Sequence, residues 1–578
     1  MQNRAIAQRF ALIADMLEIK GESVFRINAY RRAARAVEGL TEDIAAVAAR
    51  GELTALAGIG SATAEKIAEF LSTGTMKAYE DLAATLPAGL PALMSVPEVG
   101  PKTALMLHQQ LGITTIDELE AAAKAGRIRD LPRMGAKTEE NILKGIGMVR
   151  RATGRRLLGD VLPVAHALVE RLRAVPGVKE LSVAGSLRRM RETVGDIDIL
   201  VTSKKPNAVM EAFVGAPQVA QVLARGPTRS SVILDIGVQA DVRVVEPAAF
   251  GAALQYFTGS KEHNVALRER AVRRGLKVNE YGVWRVADGK RVAARSEPDV
   301  YRVVGVPWIP PELREDEGEI DAALGRRLPT LVELKDIRGD LHMHTTWSDG
   351  AESAEEMATS ARALGYEYIC ITDHSDSQKF LKGPSVEGLR RNIAHVRSMS
   401  DRMGFAVLIG TECEIQPDGS VDYPDDLLAE LDVVIASVHS RFKMSRDEMT
   451  RRIVRAMEHE HVDILGHPTG RKLGQRDPYE IDIEAIVDAA VRTGTALEID
   501  AYPDRLDLKD AHVRLATERG ARLAIGSDSH TIAHLRHMPY GVGVARRGWA
   551  QAKDVINTLP LRKLLDLLRR PVTSARRA

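Results

Sequence analysis

The sequence predicts a multidomain protein of mixed α and α/β class: a helical amino-terminal region, a small α/β unit and a carboxy-terminal β/α barrel. Three observations support this. Residues 1–150 are rich in Ala, Leu, Glu and Arg, which favour helices. Short β-branched runs, typical of strands, appear over 151–250. From residue 338 onward, apolar strands alternate with helical stretches, which indicates a parallel barrel.

Length and composition exclude several classes of protein. The chain has 578 residues, 45% hydrophobic and 28% charged, a balance typical of folded rather than disordered proteins. No apolar run reaches the ~18 residues that a membrane helix needs, and no secretory signal is visible. Two cysteines, Cys370 and Cys413, cannot form a disulfide framework and fit a reducing compartment. We therefore expect a cytoplasmic protein without a membrane partner.

In the helical region, a glycine turn recurs before a predicted helix. Gly60, Gly100 and Gly135 precede the predicted helices Ser61–Phe70, Pro101–Leu111 and Ala136–Ile146. Such a turn directs backbone N–H groups and the positive end of the helix dipole towards an anion. A bundle whose glycines merely cap helices is the alternative. An excess of basic residues over 101–300 favours a polyanionic partner.

This pattern resembles the helix-hairpin-helix motif of DNA-binding proteins. Only the first copy has the full Gly-x-Gly turn, because Glu98 and Arg133 replace the first glycine in the others. The resemblance implies contacts to DNA phosphates at Gly58, Gly60, Gly100, Lys102, Gly135 and Lys137.

The α/β unit carries three aspartates on predicted strands. The predicted strands are Val178–Ala184, Ile197–Val201, Ser231–Ile236 and Val238–Val245. Asp196 and Asp198 face the same way, and Asp241 lies on a later strand, so the three carboxylates would suit one or two Mg²⁺ ions. A solvated strand edge or a structural ion site is the alternative. Gly185-Ser186 and Arg189 would hold phosphate oxygens.

These residues resemble the nucleotidyltransferase palm of family X DNA polymerases. The following segment, Tyr256-Phe257-Thr258-Gly259-Ser260 with Asn264 and Arg268, is similar to the thumb motif of DNA polymerase beta. Without the resemblance, the aromatic pair fits a packed helix end equally well. The resemblance implies a polymerase site with Mg²⁺ or Mn²⁺ on Asp196, Asp198 and Asp241. It further implies triphosphate contacts from Gly185, Ser186, Arg189 and Gly195, and sugar, base and template contacts from Tyr256, Phe257, Gly259, Asn264 and Arg268.

A further resemblance lies in the first hairpin. Ala64–Phe70 is similar to the segment that holds the Schiff-base lysine of the polymerase beta lyase domain, and Lys66 would be the nucleophile. Ala62 stands where that segment has a phosphate-binding lysine, so an ordinary surface lysine is the alternative.

Histidine is concentrated in the barrel region, where twelve of the fifteen histidines follow residue 340. Several follow predicted strands directly, at the end where a barrel gathers its active site. Mixed His, Asp and Glu ligation suits Zn²⁺ or Mn²⁺, which can activate water near neutral pH. The predicted strands are Tyr368–Thr372, Ala406–Gly410, Val433–Val438, Val462–Gly466, Ala496–Ile499 and Arg522–Gly526.

This spacing resembles the polymerase and histidinol phosphatase (PHP) domain, a phosphoesterase barrel. The resemblance implies up to three metal ions, with Glu412 preferred to Glu414 because it lies nearer the strand end. The implied ligands are His342, His344, Asp349, His374, Glu412, His439, His467, Asp528 and His530.

The order of these parts identifies the chain as a member of the bacterial family X polymerases with a PHP domain. The expected domains are a lyase-like helical domain (1–85), a fingers-like domain (86–150), the palm (151–249), the thumb (250–315), an acidic linker (316–335) and the PHP barrel (336–578).

The resemblance implies gap-filling DNA synthesis in repair, 3′-5′ exonuclease activity and cleavage at abasic sites. The expected partners are gapped or nicked duplex DNA and deoxynucleoside triphosphates, for a nucleoid-associated monomer. One alternative is a PHP phosphatase or nuclease whose polymerase part is only a DNA-binding scaffold. Another is a non-enzymatic protein that bridges DNA ends.

Overall fold

The computed structural model describes residues 2–568 apart from 39–43, 57, 84, 86–89, 94–95, 97–98, 133, 153–154 and 377–382. Glu98 and Arg133 therefore lie outside the described residues. The chain forms two compact units. The first comprises Met1–Arg155, Lys204–Val244 and Asn264–Ala293, and the second comprises Arg156–Ser203, Val245–His263 and Ala294–Ala578. None of the described helices is long and apolar enough to cross a membrane.

The amino-terminal part is helical, as predicted. Phe10, Ile13 and Ile67 belong to one buried apolar cluster, and Leu107 and Leu119 belong to a second. Each predicted post-glycine helix is present. The helices are α1 (Gln2–Ile19), α2 (Val24–Glu38), α3 (Ile44–Ala49), α4 (Ser61–Thr73), α5 (Lys77–Ala83), α6 (Leu90–Leu93), α7 (Pro101–Leu111), α8 (Ile116–Lys124) and α9 (Ala136–Ala152).

Residues 156–203 begin the α/β part. Strand β2 pairs antiparallel with β4, so that Val183 lies opposite Ile199, and β1 pairs antiparallel with β3. Ile197 and Ile199 are buried while Asp196 is exposed, as the alternation of a strand requires. The elements are β1 (Arg156–Leu157), α10 (Leu158–Arg173), β2 (Val178–Val183), α11 (Gly185–Arg188), β3 (Thr193–Val194) and β4 (Asp196–Ser203).

Residues 204–244 form an antiparallel arrangement in which β6 pairs with both β5 and β7. Strands β6 and β7 match the predicted runs, whereas β5 has no predicted counterpart. The elements are α12 (Pro206–Val214), β5 (Val219–Arg225), β6 (Arg229–Leu234) and β7 (Gln239–Val244).

The next segment contains a three-stranded antiparallel sheet, β8-β9-β10, and ends in the acidic stretch expected to be a linker. Glu319 of that stretch is fully buried, as is Arg314 just before it. The elements are α13 (Phe250–Thr258), α14 (Lys261–Arg273), β8 (Leu276–Asn279), β9 (Gly282–Arg285), β10 (Arg291–Ala293), α15 (Glu297–Val304) and α16 (Glu319–Leu324).

Seven parallel strands, each paired with the next in sequence order, form the predicted carboxy-terminal barrel. A parallel bridge between Met343 and Ser529 brings the first and last strands together just beyond their ends. The elements are β11 (Gly339–Asp340), α17 (Ala354–Ala363), β12 (Tyr368–Ile371), α18 (Val386–Met403), β13 (Ala406–Glu414), α19 (Asp425–Leu428), β14 (Val433–Ser437), α20 (Arg446–Met457), β15 (Ile464–Leu465), α21 (Ile483–Thr493), β16 (Ala496–Asp500), α22 (Asp510–Arg519), β17 (Leu523–Gly526), α23 (Met538–Arg547) and α24 (Leu561–Leu568).

Candidate active sites

The barrel strands bring all nine candidate metal ligands into one cluster. Except for Asp349, each lies in a strand or within a few residues of a strand's carboxyl end, so the parallel order of the strands collects them at one end of the barrel. Potential ligand atoms of eight of them form three overlapping groups, each within 4.8 Å: His344, Asp349, His374 and His530; His342, His344 and Asp528; His374, Glu412 and His439. The ninth, His467, contacts Glu412.

Glu412 lies at the centre of this cluster. Its Oε2 is 2.9 Å from Nδ1 of His374, and its Oε1 is 2.9 Å from Nε2 of His467. The other histidine nitrogens around the carboxylate are Nε2 of His439 (3.3 Å), His342 (3.5 Å) and His344 (3.6 Å). Glu412 is 1% exposed. One buried carboxylate thus faces five histidines.

Two further carboxylates complete the cluster. Asp528 Oδ1 lies 3.1 Å from Nε2 of His344. Asp349 contacts three histidines, with distances of 3.4 Å to Nε2 of His530, 3.6 Å to Nε2 of His374 and 3.9 Å to Nδ1 of His344. The donor set therefore consists only of imidazole nitrogens and carboxylate oxygens, the ligands typical of Zn²⁺ and Mn²⁺ sites.

The hydrogen bonding of these groups fits metal ligation. Both oxygens of Glu412 and Nδ1 of His344, His374 and His467 are buried with no hydrogen-bond partner among the described residues. Buried polar atoms are rarely left without a partner. Ligands held at ~2.1 Å around one tetrahedral ion lie about 3.4 Å apart, which is close to the separations between Glu412 and the histidines.

The protonation states of Glu412 and His344 suit cation binding. Burial opposes ionisation of Glu412, but the charges of His439, His374 and His342 lower its pKa well below the usual value. Burial and the neighbouring His374 and His530 lower the pKa of His344 to about 3. An ionised carboxylate and a neutral imidazole at neutral pH are the forms that bind a cation. Against the effect of burial, neighbouring carboxylates raise the pKa of His439 and of His530 to about 9, so these two would release a proton when a cation binds.

Two carboxylates outside the candidate set orient the ligands. Glu498 Oε1 lies 2.7 Å from Nδ1 of His342, and its Oε2 accepts a hydrogen bond from the backbone N–H of His467 at 2.7 Å. Glu414 Oε2 lies 3.1 Å from Nδ1 of His439. Such outer carboxylates fix the tautomer and direction of a ligating histidine. The only sequence signal for Glu498 is an acid within the apolar run Leu497-Glu498-Ile499.

In the palm, the structure brings Gly185 against Asp198. Gly185 has a φ of 63°, and a Cβ there would lie 3.3 Å from Oδ2 of Asp198. The backbone N–H of Ala184 donates to the carbonyl of Asp198 at 2.8 Å. Ser186 and Gly195 are half-buried. The glycine turn and the aspartate-bearing strand β4 are therefore in direct contact.

Asp241 lies in β7 and is 5% exposed. Its carboxylate accepts hydrogen bonds from Oγ of Ser231 and, at 2.9 Å, from Nε2 of Gln239. Arg229 approaches to 3.5 Å. These neighbours hold the carboxylate in a fixed direction.

Arg188 and Arg189 connect the glycine turn to the end of α13. Arg188 forms two 2.8 Å hydrogen bonds with Glu297 and donates to Oγ1 of Thr258 at 2.7 Å. Arg189, a candidate triphosphate ligand, donates to Glu315 at 3.0 Å and to the carbonyl of Thr258. In this state the Arg189 guanidinium is thus held by the protein itself.

The remaining thumb candidates lie on two helices. The rings of Tyr256 and Phe257 meet edge to face at 5.2 Å, and Phe257 packs against a core that includes Leu200. Gly259 follows α13, and a Cβ there would lie 3.0 Å from Nη1 of Arg189. Asn264 and Arg268 are four residues apart on α14, which places them on one face of that helix.

In the helical region, the three glycine turns are open. Gly60 and Gly100 are the amino-terminal caps of α4 and α7, and Gly135 directly precedes α9. A Cβ at any of the three would meet nothing within 4 Å. Gly58, Lys102 and Lys137 are also exposed. Lys66 donates from Nζ to the carbonyl of Ala62, one turn earlier in α4, at 3.0 Å.

Family models match four parts of the chain. They are described as a helix-hairpin-helix domain (residues 1–76), a SAM-like helix-hairpin-helix tandem (90–147), a DNA polymerase beta thumb (253–315) and a PHP domain (340–501). The matches follow the order of parts predicted from the sequence.

Similar proteins extend this comparison. A DNA polymerase/3′-5′ exonuclease PolX of Bacillus subtilis (strain 168) is 38% identical over 573 residues, which covers 99% of this chain and 100% of that protein. A probable phosphatase of Thermoanaerobacter sp. (strain X514) is 30% identical over 38% of this chain and 89% of its own length. A probable phosphatase of Shewanella oneidensis is 31% identical over 40% of this chain and 90% of its own length. The full-length match shows that the chain belongs to the PolX family, the bacterial family X DNA polymerases that carry a PHP domain.

Proposed function

We propose that this protein is a DNA polymerase that fills short gaps during DNA repair, and that its PHP barrel is a 3′-5′ exonuclease. The observation that carries the proposal is the presence of two candidate sites in one chain. One is the turn at Gly185 against Asp198, and the other is the nine-ligand cluster around Glu412. One site would trim the 3′ end that the other extends.

In the polymerase site, Asp196, Asp198 and Asp241 would hold Mg²⁺ or Mn²⁺. Such ions supply Lewis acidity and charge compensation for phosphoryl transfer. The half-buried turn at Gly185 would bring backbone N–H groups close to the phosphates, as glycine turns do. The proposed triphosphate contacts are Gly185, Ser186, Arg189 and Gly195. The proposed sugar, base and template contacts are Tyr256, Phe257, Gly259, Asn264 and Arg268.

In the PHP site, up to three Zn²⁺ or Mn²⁺ ions would be held by the nine clustered residues, with Glu412 between the groups. Bound ions of this kind supply activated water for phosphodiester hydrolysis. Glu498 and Glu414 would orient His342 and His439 by accepting their Nδ1 protons. The burial of Glu412 excludes solvent from its carboxylate.

The helical region would bind the DNA. The exposed turns at Gly58, Gly60, Gly100 and Gly135, with Lys102 and Lys137, would contact phosphates of gapped or nicked duplex DNA. We also propose that the substrates are deoxynucleoside triphosphates and that the protein cleaves DNA at abasic sites. We further propose that it is a nucleoid-associated monomer with the domain boundaries given above. Lys66 is a proposed lyase nucleophile. Borohydride trapping on DNA with a 5′ abasic end, compared between the protein and Lys66→Ala, tests that role.

A labelled primer on one-nucleotide-gapped DNA tests both activities. With deoxynucleoside triphosphates and Mn²⁺, Asp198→Ala should abolish extension and leave primer degradation unchanged. Without nucleotides, His344→Ala should abolish degradation and leave extension unchanged. The matched pair matters because each variant serves as the other's folding control. Primer extension by Asp198→Ala at the wild-type rate would overturn the assignment of the polymerase site. Primer degradation by His344→Ala at the wild-type rate would overturn the assignment of the barrel site.

A small-molecule phosphatase is the second candidate, because several relatives are named probable phosphatases. Rapid hydrolysis of phosphorylated metabolites without nucleotide incorporation would favour it. The polymerase part would then be a DNA-binding scaffold.

A further inference from the structure

The palm turn that follows Arg188 is held by an arginine of the PHP barrel, within the same compact unit. Arg547, the last residue of α23, donates from Nη1 to the backbone carbonyl of Arg189 at 2.9 Å. The same nitrogen donates to Oε1 of Glu315 at 2.8 Å. Nε and Nη2 donate to Asp510 at 2.8 and 2.6 Å. The Arg547 side chain is 6% exposed, so these bonds are shielded from water.

Glu315 extends this contact to the side chain of Arg189. Its Oε1 accepts from Nε of Arg189 at 3.0 Å, and its Oε2 lies 3.4 Å from Arg191. Arg547 thus fixes the backbone of Arg189 directly and the guanidinium of Arg189 through Glu315. Burial opposes the charge on Arg547, but Asp510 and Glu315 raise its pKa, so the group remains a cation.

Two further PHP residues hold the other side of the turn. Arg471 donates to Glu192 at 2.8 Å and to the carbonyl of Leu506. Gly543, in α23, packs directly on Met190, which has a φ of 53°. A Cβ at Gly543 would lie 2.7 Å from Cε of Met190. A non-glycine residue in the left-handed region needs support from its surroundings, and here the PHP helix provides it.

We propose that Arg547 is a positioning residue for nucleotide binding, so that the PHP domain completes the triphosphate-binding turn of the polymerase. A turn that the protein already holds in one conformation loses less conformational freedom when a ligand binds, which raises affinity without a new contact. Arg471 helps to hold the same turn through its hydrogen bond to Glu192. This inference rests on the proposed role of residues 185–195 in holding the triphosphate.

The test measures KM and kcat for one deoxynucleoside triphosphate on one-nucleotide-gapped DNA with the full-length protein. Arg547→Met should raise KM about tenfold, the effect expected from losing one charge-assisted hydrogen bond, and change kcat less than about threefold. Arg547→Lys should recover part of the affinity, because a lysine keeps the charge but lacks the guanidinium fork. The 3′-5′ exonuclease rate should be unchanged in both.

Arg546→Met is the matched control. Arg546 is adjacent in α23 and binds Glu312 and the carbonyl of Val332, neither of which belongs to the turn. Its KM should equal that of the wild type. If Arg547→Met does not fold, Glu192→Gln tests the second support of the same turn, because it removes the negative charge that pairs with Arg471, and it should also raise KM.

An unchanged KM in Arg547→Met would overturn the inference. So would an equal rise in Arg546→Met, or an equal loss of exonuclease and polymerase activity, because either would indicate general destabilisation. If the wild-type protein incorporates no nucleotide, the proposed polymerase function is overturned and this inference with it. That outcome is distinguishable from the others because it is observed before any variant is made.

Discussion

A single buried carboxylate fixes the direction of a ligand in the PHP cluster. Glu498 is 1% exposed and lies 2.7 Å from Nδ1 of His342. Because Nδ1 of His342 faces Glu498, the other ring nitrogen, Nε2, is the one directed towards Glu412 and Asp528. The same carboxylate accepts the backbone N–H of His467. Glu498 therefore sets the geometry of two candidate ligands without itself joining a metal group.

We expect Glu498→Gln to weaken metal binding by about 10- to 100-fold, the range typical of lost outer carboxylates. The amide keeps the shape but loses the charge that favours the donating tautomer of His342. Exonuclease activity should fall at limiting Mn²⁺ and recover at high Mn²⁺, as measured by metal titration. Gap filling in the same preparation should be unaffected.

Glu518→Gln, at an exposed position in α22, is the matched control and should behave as the wild type. A Glu498→Gln variant with an unchanged metal titration would show that Glu498 is only a structural acceptor.

The nine candidate ligands could be predicted from the sequence, but Glu498 could not. Most of the candidate ligands lie in or near a recognisable strand, and the resemblance to the PHP domain rests on that local pattern. Glu498 is separated from His342 by 156 residues, and the contact arises only when β16 is placed beside the other strands. The pairing of Arg189 with Glu315 could not be predicted from the sequence either, because the two residues are 126 positions apart.

At the scale of elements, one side chain joins the first and last strands of the barrel. Asn557 is fully buried. Its Nδ2 donates to the carbonyl of Gly339 in β11 at 2.8 Å and to that of Ile525 in β17 at 2.9 Å. Its Oδ1 accepts from the N–H of Ile525 at 3.1 Å. Asn557 thus satisfies three backbone groups where the two edge strands would otherwise leave them unpaired.

Asn557→Ala should therefore lower the free energy of unfolding of the barrel by about 3 kcal/mol, because it leaves buried donors and acceptors without partners. Thermal denaturation, monitored through the loss of exonuclease activity, measures this decrease in stability. Asn207→Ala, at an exposed position in α12, should change stability by less than about 0.5 kcal/mol. Equal stability of the two variants would contradict a closing role for Asn557.

Most barrel strands were predictable because they are apolar on both faces, as in β12 and β14, where every residue is buried. Strand β5 could not be predicted in this way, because its last four residues are all exposed and do not alternate with buried ones. Within the predicted acidic linker (316–335), Glu319 is buried and pairs with His263, a contact that composition does not reveal.

At the scale of the molecule, the near-zero net charge of +1 conceals a division between a region that suits cations and a region that suits an anion. Three acids and six histidines of the carboxy-terminal barrel converge on one cluster, where they suit cations. The exposed lysines after the glycine turns of the helical region suit an anion. The second compact unit contains residues 156–203 together with the barrel.

This division predicts the salt dependence of DNA binding. Each phosphate contact adds about 0.9 to the slope of log K against log salt concentration, so losing Lys102 and Lys137 should reduce that slope by about 1.8. Both lysines are exposed. The double variant Lys102→Ala/Lys137→Ala, titrated with gapped duplex DNA by fluorescence anisotropy over a range of salt, measures the change. Lys553→Ala, an exposed lysine of the barrel, should leave the slope unchanged. A double variant with the wild-type slope would mean that these turns do not contact the DNA backbone, and the basic excess of residues 101–300 would need another partner.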